Sequence, residues 1–499
     1  MSLQRLEPLI YDQSISGRVG VNLPACDVPE SDLPDALIRD DVALPEVSEL
    51  QAVRHFVNLS QLNYAIDKGF YPLGSCTMKY NPKLNEDMAR LSGLALLHPL
   101  TDPEGSQGAL GLMYTLQNWL AEVAGFAGVS LTPAAGAQGE FAGILMIRKY
   151  HLDRGDTQRT KILVPNSAHG TNPATVTMAG LDVIELPSDD DGNVDLSALK
   201  EACEGDKGKE IAGMMITVPS TLGLFERHIL DVVKTVHDCG GLMYMDGANM
   251  NALMGAVKPG ELGFDVMHYN LHKTFSTPHG GGGPGCGAIG VAERLMDYRP
   301  GPVVEIVEDV DDENDAPLYG LVTPPKTIGR LKAFNGNFGM HIRAYAYIRV
   351  YGGEGLKDVS RHAVLNANYI RANLLDTYKI PYPRICGHEF VLEGRFPEAE
   401  GIHALDISKR LMDYGYHPPT NYFPLIVHEA LLIEPTETED KATLDAFIDA
   451  MKKIAQEAKE NPDLLNSAPH TMPVSRLDEV RAAKQLVLCC APVMKSISG

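Results

Sequence analysis

The 499-residue sequence has few of the features that mark secreted, metal-binding or nucleic-acid-binding proteins. Its eight cysteines are scattered and include no Cys-x-x-Cys pair. Their spacing therefore encodes neither a zinc site nor a disulfide framework, and we interpret them as reduced thiols. Basic residues number 43 against 65 acidic ones, and the net charge of −22 argues against a nucleic-acid surface and against docking on an anionic membrane.

Long apolar runs are also missing, since no stretch approaches the ~20 residues that a membrane-spanning helix needs. Residues 1–9 lack the basic, apolar and small-residue order of a secretory signal. We therefore predict a cytoplasmic protein without a membrane partner. The acidic stretch at 305–315 lacks the carboxylate spacing of a calcium loop and is interpreted as a solvated loop, so no metal site is predicted. The adjacent Cys489 and Cys490 are assigned no role.

What the sequence does contain is the composition of a large globular protein, with 44% hydrophobic and 22% charged residues. Its length is sufficient for two or three domains. We predict an N-terminal arm at 1–90, which is rich in proline and glycine with few clear periods. A large domain at 91–330 and a linking helix with a smaller C-terminal domain at 331–499 would follow. In this last part we expect a helix at 328–351, strands at 384–393 and 422–427, and a helix at 441–459.

Apolar runs of strand length alternate with helix-length segments through the middle of the chain. An apolar stripe at spacings of three and four residues, from Ile229 to Val236, is typical of a crossover helix packed on a sheet. This alternation predicts an α/β fold with a large, mostly parallel sheet, in which ligands bind beyond the carboxyl ends of the strands. The predicted strands are 161–165, 181–186, 211–217 and 241–246.

One pair of residues indicates a specific chemistry. Asp246 ends a predicted strand, and Lys273 follows 27 positions later in the sequence NLHKTF. A lysine can hold pyridoxal phosphate as a Schiff base, and an aspartate at a strand end can keep the pyridine nitrogen protonated so that the ring accepts electrons. Either residue alone is more commonly a surface lysine or a helix cap, so the prediction depends on their combination.

Four further segments stand where a pyridoxal phosphate site would need them. Small residues around Gly136, before a helical pattern, would let backbone N–H groups and the helix dipole hold a phosphate, although they also fit a tight turn. His169 follows the strand ending at 165 and could stack on the pyridine ring or be a structural histidine. Thr217 ends another strand and could bond the cofactor or shape a turn. The turn-rich segment 74–82, which includes Ser75, Cys76 and Thr77, could bind a carboxylate or a phosphate or simply form a loop.

Taken together, these segments resemble the glycine decarboxylase (P-protein) family of the glycine cleavage system, in its two-subunit form. The chain is most similar to subunit 2, the half that carries the cofactor lysine. The segments that carry the resemblance are GFYPLGSCTMKYNP (69–82), GAQGE (136–140), SAHGTNP (167–173), DGAN (246–249), HKTF (272–275), GGGGPG (280–285) and YFPLI (422–426).

The resemblance implies a fold-type-I pyridoxal-phosphate architecture, with a large seven-stranded domain and a smaller C-terminal α/β domain. It implies Lys273 as the Schiff-base lysine, Asp246 at the pyridine nitrogen and His169 stacked on the ring. The motif residues Gly136, Ala137, Gln138, Thr217, Ala248 and His272 are then expected in the cofactor site, and Ser75, Cys76 and Thr77 become substrate candidates. Two segments depart from the family: Val218 stands where an asparagine is common, and the tail 487–499 matches nothing in it.

The reaction implied is decarboxylation of glycine through a pyridoxal phosphate aldimine, with release of CO₂ and transfer of the aminomethyl group to the lipoyl disulfide of H-protein. The implied partners are glycine, the homologous subunit 1 in an α2β2 complex, and lipoylated H-protein. Another fold-type-I enzyme, such as an aminotransferase or a cysteine desulfurase, would share Asp246 and Lys273. A partner-binding half without catalytic activity is disfavoured because Lys273, Asp246 and His169 are all present.

Overall fold

A computed structural model describes residues 6–29, 33–39, 44–280, 285–308 and 317–488. Four features predicted from the sequence lie wholly or partly outside these ranges. They are the glycine run beyond Gly280, the acidic stretch beyond Glu308, the pair Cys489 and Cys490, and the tail from residue 489.

Strands of the described residues form three sheets. The strands are β1 (Gly128–Ser130), β2 (Lys161–Pro165), β3 (Asp182–Leu186), β4 (Ile211–Thr217), β5 (Leu242–Gly247), β6 (Val266–Asn270), β7 (Gly287–Val291), β8 (Val303–Glu308), β9 (Leu318–Val322), β10 (Phe390–Glu393), β11 (Thr420–Asn421) and β12 (Ala430–Ile433).

Helices surround these sheets, and in the described ranges none is long and apolar enough to cross a membrane. The α-helices are α1 (Glu49–Leu62), α2 (Lys83–Ala89), α3 (Ser92–Ala95), α4 (Gln107–Ala124), α5 (Gly136–Asp153), α6 (Thr171–Met178), α7 (Leu196–Cys203), α8 (Gly205–Lys209), α9 (Ile229–Asp238), α10 (Phe338–Leu374), α11 (Ala404–Asp413), α12 (Lys441–Glu460), α13 (Pro462–Asn466) and α14 (Glu479–Lys484). Short 3-10 helices occupy Ile10–Gln13, Asp35–Leu37, Pro103–Ser106, Met250–Ala252, Pro259–Leu262 and Glu293–Tyr298.

The largest sheet has seven strands in the order β1-β7-β6-β5-β4-β2-β3. Strands β6, β5, β4, β2 and β3 run parallel, whereas β7 at one side is antiparallel to β6, and the edge strand β1 is antiparallel to β7 and so runs in the direction of the other five. The strands are almost continuously apolar because helices cover both faces. The predicted α/β class, the four predicted strands and the crossover helix, which is α9, are all confirmed.

Two glycines let α5 lie unusually close to this sheet. A Cβ atom at Gly143 would lie 2.3 Å from the Tyr244 ring on β5, and one at Gly139 would lie 2.7 Å from His268 Cβ on β6. Both neighbours are almost completely buried and cannot move aside. The close approach brings the amino end of α5 to the carboxyl ends of the strands.

The smaller C-terminal sheet has the order β10-β12-β11 and packs with α10, α11 and α12 around its own apolar core. The predicted helix at 441–459 is confirmed by α12. The predicted helix at 328–351 is wrong in its bounds, since α10 begins at Phe338 and extends to Leu374, with an interruption at Gly352. The predicted strand at 384–393 is confirmed only over β10.

One other prediction about secondary structure is wrong. Segment 422–427 is a loop after the short strand β11, because Tyr422 has a positive φ of 59° and Pro424 has no N–H to donate to a ladder. The first 90 residues contain the helix α1, whose start is fixed by a capping box between Ser48 and Gln51. The apolar residues of α1, among them Phe56, are exposed. The sequence of α1 therefore lacks the clear apolar stripe that marks a helix with one buried face. The three-part division of the chain stays a prediction.

The close contact of α5 with the sheet can be tested by Gly143→Ala. The added methyl would press on the buried Tyr244 ring, so we expect the free energy of unfolding to fall by about 1 to 3 kcal/mol. Gly108→Ala on α4 is the matched control: it has open space around it and should raise stability by up to about 1 kcal/mol. Urea unfolding measures both. Equal effects of the two substitutions would contradict the packing described here.

Candidate active site

A cleft lies beyond the carboxyl ends of β4, β5 and β6, where the loops after these strands meet the amino end of α5. Parallel strands end at one edge of a sheet, so side chains that follow different strands converge there. The cleft is lined by Ser75, Ala135, Gly136, Ala137, Glu140, His169, Thr171, Thr217, Thr221, Asp246, Ala248, Asn249, His268, Asn270, His272 and Lys273.

Most of the site residues predicted from the sequence therefore lie in one cleft, but three do not line it. Gln138 turns away, since its side chain accepts a hydrogen bond from the Ala134 N–H at 2.7 Å and donates one to the Leu331 carbonyl at 3.0 Å. Thr77 is buried beside the cleft. Cys76 lies in the same loop, and its carbonyl is 3.0 Å from His279 Nε2. The structure thus brings Lys273, Asp246 and His169 together in the cleft. It leaves Gln138, Thr77 and Cys76 at or behind the wall of the cleft.

Asp246 is buried at the end of β5 and holds the centre of a polar network. Its carboxylate accepts hydrogen bonds from the Ala248 N–H at 2.9 Å and the Asn172 amide at 3.2 Å, and lies 3.3 Å from His268 Nε2. Burial alone would raise the pKa of Asp246, but the imidazole and the two donors outweigh it, so the pKa lies below the usual value. The group is therefore a buried, ionised carboxylate that faces the cleft.

His268 is the second layer of this network. It stands directly across from Asp246 in the parallel pairing of β5 and β6, and its Nδ1 is 2.5 Å from the Tyr244 hydroxyl. Burial lowers the pKa of His268, with Asp246 opposing that shift. The hydroxyl and the carboxylate contact different ring nitrogens, so the imidazole is held in one orientation against Asp246.

Glu140 is a second buried acid, one turn into α5. It accepts hydrogen bonds from Thr171 at 3.0 Å and from Asn172 at 3.1 Å. Asn172 therefore donates to both Glu140 and Asp246. Burial and the nearby charge of Asp246 raise the pKa of Glu140 to about 7, against the hydrogen bonds that lower it. One of the two acids thus stays ionised while the other titrates near neutrality.

Lys273 enters the cleft from the turn that follows β6. The turn is closed by a hydrogen bond from the Lys273 N–H to the Asn270 carbonyl at 3.0 Å. The Nζ atom donates to the Ser75 carbonyl at 2.8 Å, so the lysine contacts the N-terminal loop. The same loop carries Cys76, where burial raises the pKa of the thiol to about 11 although the Lys273 charge opposes this. That thiol is therefore protonated at neutral pH.

His169 and His272 both line the cleft. The His169 ring lies edge-on to Phe423 of the C-terminal part, with centroids 5.4 Å apart, and its Nδ1 is 2.8 Å from the Thr171 hydroxyl. The Nδ1 of His272 lies 3.0 Å from the Cys286 carbonyl, and burial lowers the pKa of this histidine to about 3. His272 is thus neutral and part of the wall, whereas His169 is exposed.

The amino end of α5 and two unpartnered oxygens provide a test of whether pyridoxal phosphate fits. Gly136 leaves no room for a side chain, since a Cβ atom there would lie 2.1 Å from Asn270 Oδ1. The buried Thr217 Oγ1 and Asn270 Oδ1 have no hydrogen-bond partner. The helix amino end suits the phosphate, and the unsatisfied polar atoms suit the ring substituents. The carboxylate of Asp246 suits a protonated ring nitrogen, and the amine of Lys273 suits the aldehyde. The donor set fits the cofactor.

Sequence reasoning missed several residues of this cleft. Glu140, His268 and Asn270 are the clearest cases, and Glu140 and Asn270 had a signal in the chain. Asn270 ends the strand that leads to Lys273, and Glu140 lies one helical turn after Gly136. His268 is identifiable only once β5 and β6 are known to pair in register. Val218, where the chain departs from the family, is completely buried in the core beside Thr217.

The fold and the cleft define the class as fold-type-I pyridoxal-phosphate enzymes. A crystal structure of inhibitor-bound glycine decarboxylase (P-protein) has a TM-score of 0.70 and 21% identity, over 85% of this chain and 93% of that chain. A cysteine desulfurase from Thermococcus onnurineus has a TM-score of 0.61 and 18% identity, over 80% and 98% of the two chains. At these identities the likeness shows the fold alone.

The sequence comparisons are more specific. The family model "Glycine cleavage system P-protein" matches residues 27–392, and "Glycine dehydrogenase, C-terminal domain" matches residues 359–470. A probable glycine dehydrogenase (decarboxylating) subunit 2 of Chlorobium chlorochromatii is 55% identical over 97% of this chain and 99% of its own. A relative of the same name in Listeria monocytogenes is 52% identical over 98% and 99%.

The chain therefore belongs to the glycine cleavage system P-protein family. Membership confirms three predictions made from the sequence: the fold-type-I architecture, the pyridoxal phosphate cofactor and the glycine-decarboxylating activity. The resemblance to subunit 2 of the two-subunit form is confirmed as well.

Glu140→Gln tests the electrostatics of the buried acids. Glu140 has a pKa of about 7 in the folded protein against 4.5 for an ordinary glutamate, so the folded state binds the proton more tightly than the unfolded state. The wild-type protein must then lose stability as pH rises from about 4.5 to about 7, and the variant lacks this loss. Between about pH 5 and pH 8 we expect the difference in unfolding free energy to shift by up to ~3 kcal/mol in favour of the variant.

Glu393→Gln is the control for this prediction, because the pKa of Glu393 lies below its usual value. Denaturant unfolding at a series of pH values should give a constant difference between Glu393→Gln and the wild type over the same range. A constant difference for Glu140→Gln would show that Glu140 does not titrate near neutrality.

Proposed function

We propose that this chain carries the catalytic site for glycine decarboxylation and that Lys273, Asp246 and His169 are its catalytic residues. The observation that carries the assignment is that the Lys273 amine and the ionised Asp246 carboxylate face one cleft. Thr217, Ala248, Gly136, Ala137 and His272 line the same cleft and are proposed to contact the cofactor. Gln138 is proposed to act on the cofactor site indirectly, because its side chain accepts a hydrogen bond from the Ala134 N–H and so fixes the loop before α5.

Pyridoxal phosphate, when bound, supplies a ring that takes up the electron pair left as CO₂ departs from glycine. Asp246 holds a proton at the ring nitrogen, and its fixed bonds to Asn172 and the Ala248 N–H keep it in place without reorganisation. Lys273 provides the amine that retains the cofactor. His169 covers one side of the cleft, and the amino end of α5 presents N–H groups to the phosphate.

We propose Ser75 as a contact for the glycine carboxylate, because it lines the cleft next to Lys273. Cys76 and Thr77 were predicted for the same role and stay predictions. The N–H and hydroxyl of Thr77 both donate to Glu434, at 2.8 and 2.6 Å, so neither points into the cleft. Ser75 is therefore the member of this loop that the geometry favours.

We further propose that the chain assembles with a subunit 1 in an α2β2 complex and passes the aminomethyl group to lipoylated H-protein. Support comes from the relatives, which are named subunit 2. It also comes from α1, where Leu50 and Phe56 are 57% and 61% exposed, as expected of an apolar surface that a partner covers. The cytoplasmic location stays a prediction.

Lys273→Ala tests the cofactor lysine. Without the amine, added pyridoxal phosphate should not produce the visible absorption of a lysine adduct, and glycine turnover with the partner subunit and H-protein should be lost. Lys258→Ala removes a lysine that pairs with Glu122 at the surface and should leave both measurements unchanged. Normal absorption and turnover in Lys273→Ala would refute the assignment.

Asp246→Asn tests the carboxylate. Asparagine keeps a hydrogen-bond acceptor for the Ala248 N–H but loses the charge, so we expect turnover to fall by roughly 10²- to 10³-fold, as for loss of one transition-state stabilising group. Asp265→Asn is the matched control, since Asp265 is also buried and bonded to a histidine, His237, at 2.8 Å, but stands before β6 at the opposite edge of the sheet. Steady-state kinetics of both folded variants measures the two effects on turnover. Near-normal turnover in Asp246→Asn would contradict the role proposed for Asp246.

A further inference from the structure

Two buried carboxylates face each other at the edge of the C-terminal sheet. Strands β10 and β12 are antiparallel, with Phe390 opposite Ile433, so the next pair outward is Glu389 and Glu434. Both side chains have no exposed surface. Burial raises the pKa of Glu434 to about 7, and burial together with the nearby Glu434 raises the pKa of Glu389 well above its usual value, so the two are not both charged at neutral pH. A buried carboxyl group is costly whether charged or neutral unless it is hydrogen-bonded. The pair therefore needs compensating donors.

The donors come from the N-terminal loop 74–77. The Ser75 N–H donates to Glu389 at 2.5 Å, and the N–H and hydroxyl of Thr77 donate to Glu434 at 2.8 and 2.6 Å. The fourth carboxylate oxygen accepts from the Asn249 amide at 3.5 Å. His388 also lies 3.7 Å from Glu434. These three side chains are close enough together to hold a metal ion, and three of the four carboxylate oxygens already accept a hydrogen bond from the loop 74–77.

The loop has an unfavourable backbone that these bonds must maintain. Ser75 and Thr77 have positive φ angles of 63° and 51°, a region that non-glycine residues rarely adopt. Gly74 is packed against β12 so closely that a Cβ atom would lie 2.5 Å from the Leu432 carbonyl oxygen. Residues in such conformations persist only where their surroundings determine them strongly. Here the determining groups are the two carboxylates.

The held loop contacts the cofactor lysine directly. The Ser75 carbonyl, which accepts the hydrogen bond from Lys273 Nζ at 2.8 Å, belongs to the residue whose N–H is bound by Glu389. A chain of contacts therefore runs from the C-terminal sheet, through one residue of the loop, to the amine in the cleft. Movement of the loop would move the acceptor of that amine.

We propose that Glu389 and Glu434 are positioning residues of the active site, which fix the loop 74–77 so that the Ser75 carbonyl sets the place of the Lys273 amine. The proposal rests on the cofactor role proposed for Lys273. It assigns no chemical step to either glutamate. The C-terminal sheet thereby influences the position of the Lys273 amine through two glutamate side chains.

The first experiment is amide hydrogen exchange on the chain without cofactor. Glu389→Ala and Glu434→Ala should speed exchange in the peptide that contains residues 74–77 by roughly three- to tenfold, the effect of losing one hydrogen bond. Glu389→Gln keeps an acceptor for the Ser75 N–H and should restore slow exchange. Glu393→Ala, on the same strand β10 and also buried, removes a carboxylate bonded to Lys379 and Arg395 and should leave the loop unchanged.

The second readout is the rate at which added pyridoxal phosphate becomes attached to Lys273, trapped by borohydride and located by peptide mass. We expect a roughly tenfold slower attachment in Glu389→Ala, with near-normal rates in Glu389→Gln and Glu393→Ala. If Glu389→Ala does not fold, Thr77→Val removes one bond to Glu434 with little change in shape and should still speed exchange of the loop.

The outcomes separate this inference from the proposed function. Attachment at another lysine in the wild-type chain would overturn the role of Lys273 itself. Normal attachment at Lys273, together with unchanged exchange in Glu389→Ala and Thr77→Val, would overturn the positioning role alone. Equal slowing in Glu393→Ala would show that any loss of a buried glutamate from β10 has the same effect, which also overturns the proposal.

Discussion

The structure depends on one buried carboxylate, Asp246, which stays ionised at the end of a central strand. An ionised group in the interior is costly unless charge and hydrogen bonds compensate it. Here the compensation comes from His268 on the neighbouring strand, the Asn172 amide and the Ala248 N–H. Each of these contacts requires a particular register or helix position. The arrangement of the sheet edge is therefore tied to the charge that it surrounds.

A second acid depends on the first. Glu140 shares the Asn172 amide with Asp246, and the charge of Asp246 contributes to its raised pKa. The Asn172 amide has two hydrogens and donates to both acids, so the difference between them comes from charge: Asp246 lies beside His268, which lowers its pKa, whereas burial and the charge of Asp246 raise the pKa of Glu140. This difference separates a permanent anion, suited to hold a proton on a cofactor ring, from a group that titrates near neutrality.

The cleft is completed by parts of the chain that are far apart in sequence. Lys79, from the N-terminal region, donates to Glu437 at 2.7 Å, to the Thr274 carbonyl at 2.8 Å and to Asn251 at 3.0 Å. These bonds tie the segment just after the loop 74–77 to the turn of Lys273 and to Glu437, which follows β12. The N-terminal segment is thus one of the contacts between the parts that carry the two sheets, beside the hydrogen bond from the Gly387 N–H to the Gly223 carbonyl at 2.7 Å.

The amino-acid sequence predicted the parts of the site that follow strand ends, because strand length and apolar runs place Asp246, Thr217 and His169 at one edge without knowledge of the tertiary fold. It did not predict His268, Glu389 or Glu434, since their roles arise from pairing between strands whose register the chain does not state. The loop at 422–427 was mistaken for a strand because its residues are mostly apolar, although Tyr422 has a positive φ and Pro424 has no N–H to donate to a ladder. The exposed helix α1 was missed because its apolar residues do not face a core of this chain.

Asp246 is proposed to be an anion that keeps the nitrogen of a bound pyridine ring protonated. The most direct measurement is the ¹⁵N chemical shift of the ring nitrogen of labelled pyridoxal phosphate bound to the wild-type chain, followed across neutral pH. We expect the ring nitrogen to stay protonated throughout that range, because the pKa of Asp246 lies below its ordinary value. A ring nitrogen that is unprotonated, or that titrates as a free pyridine does, would contradict it.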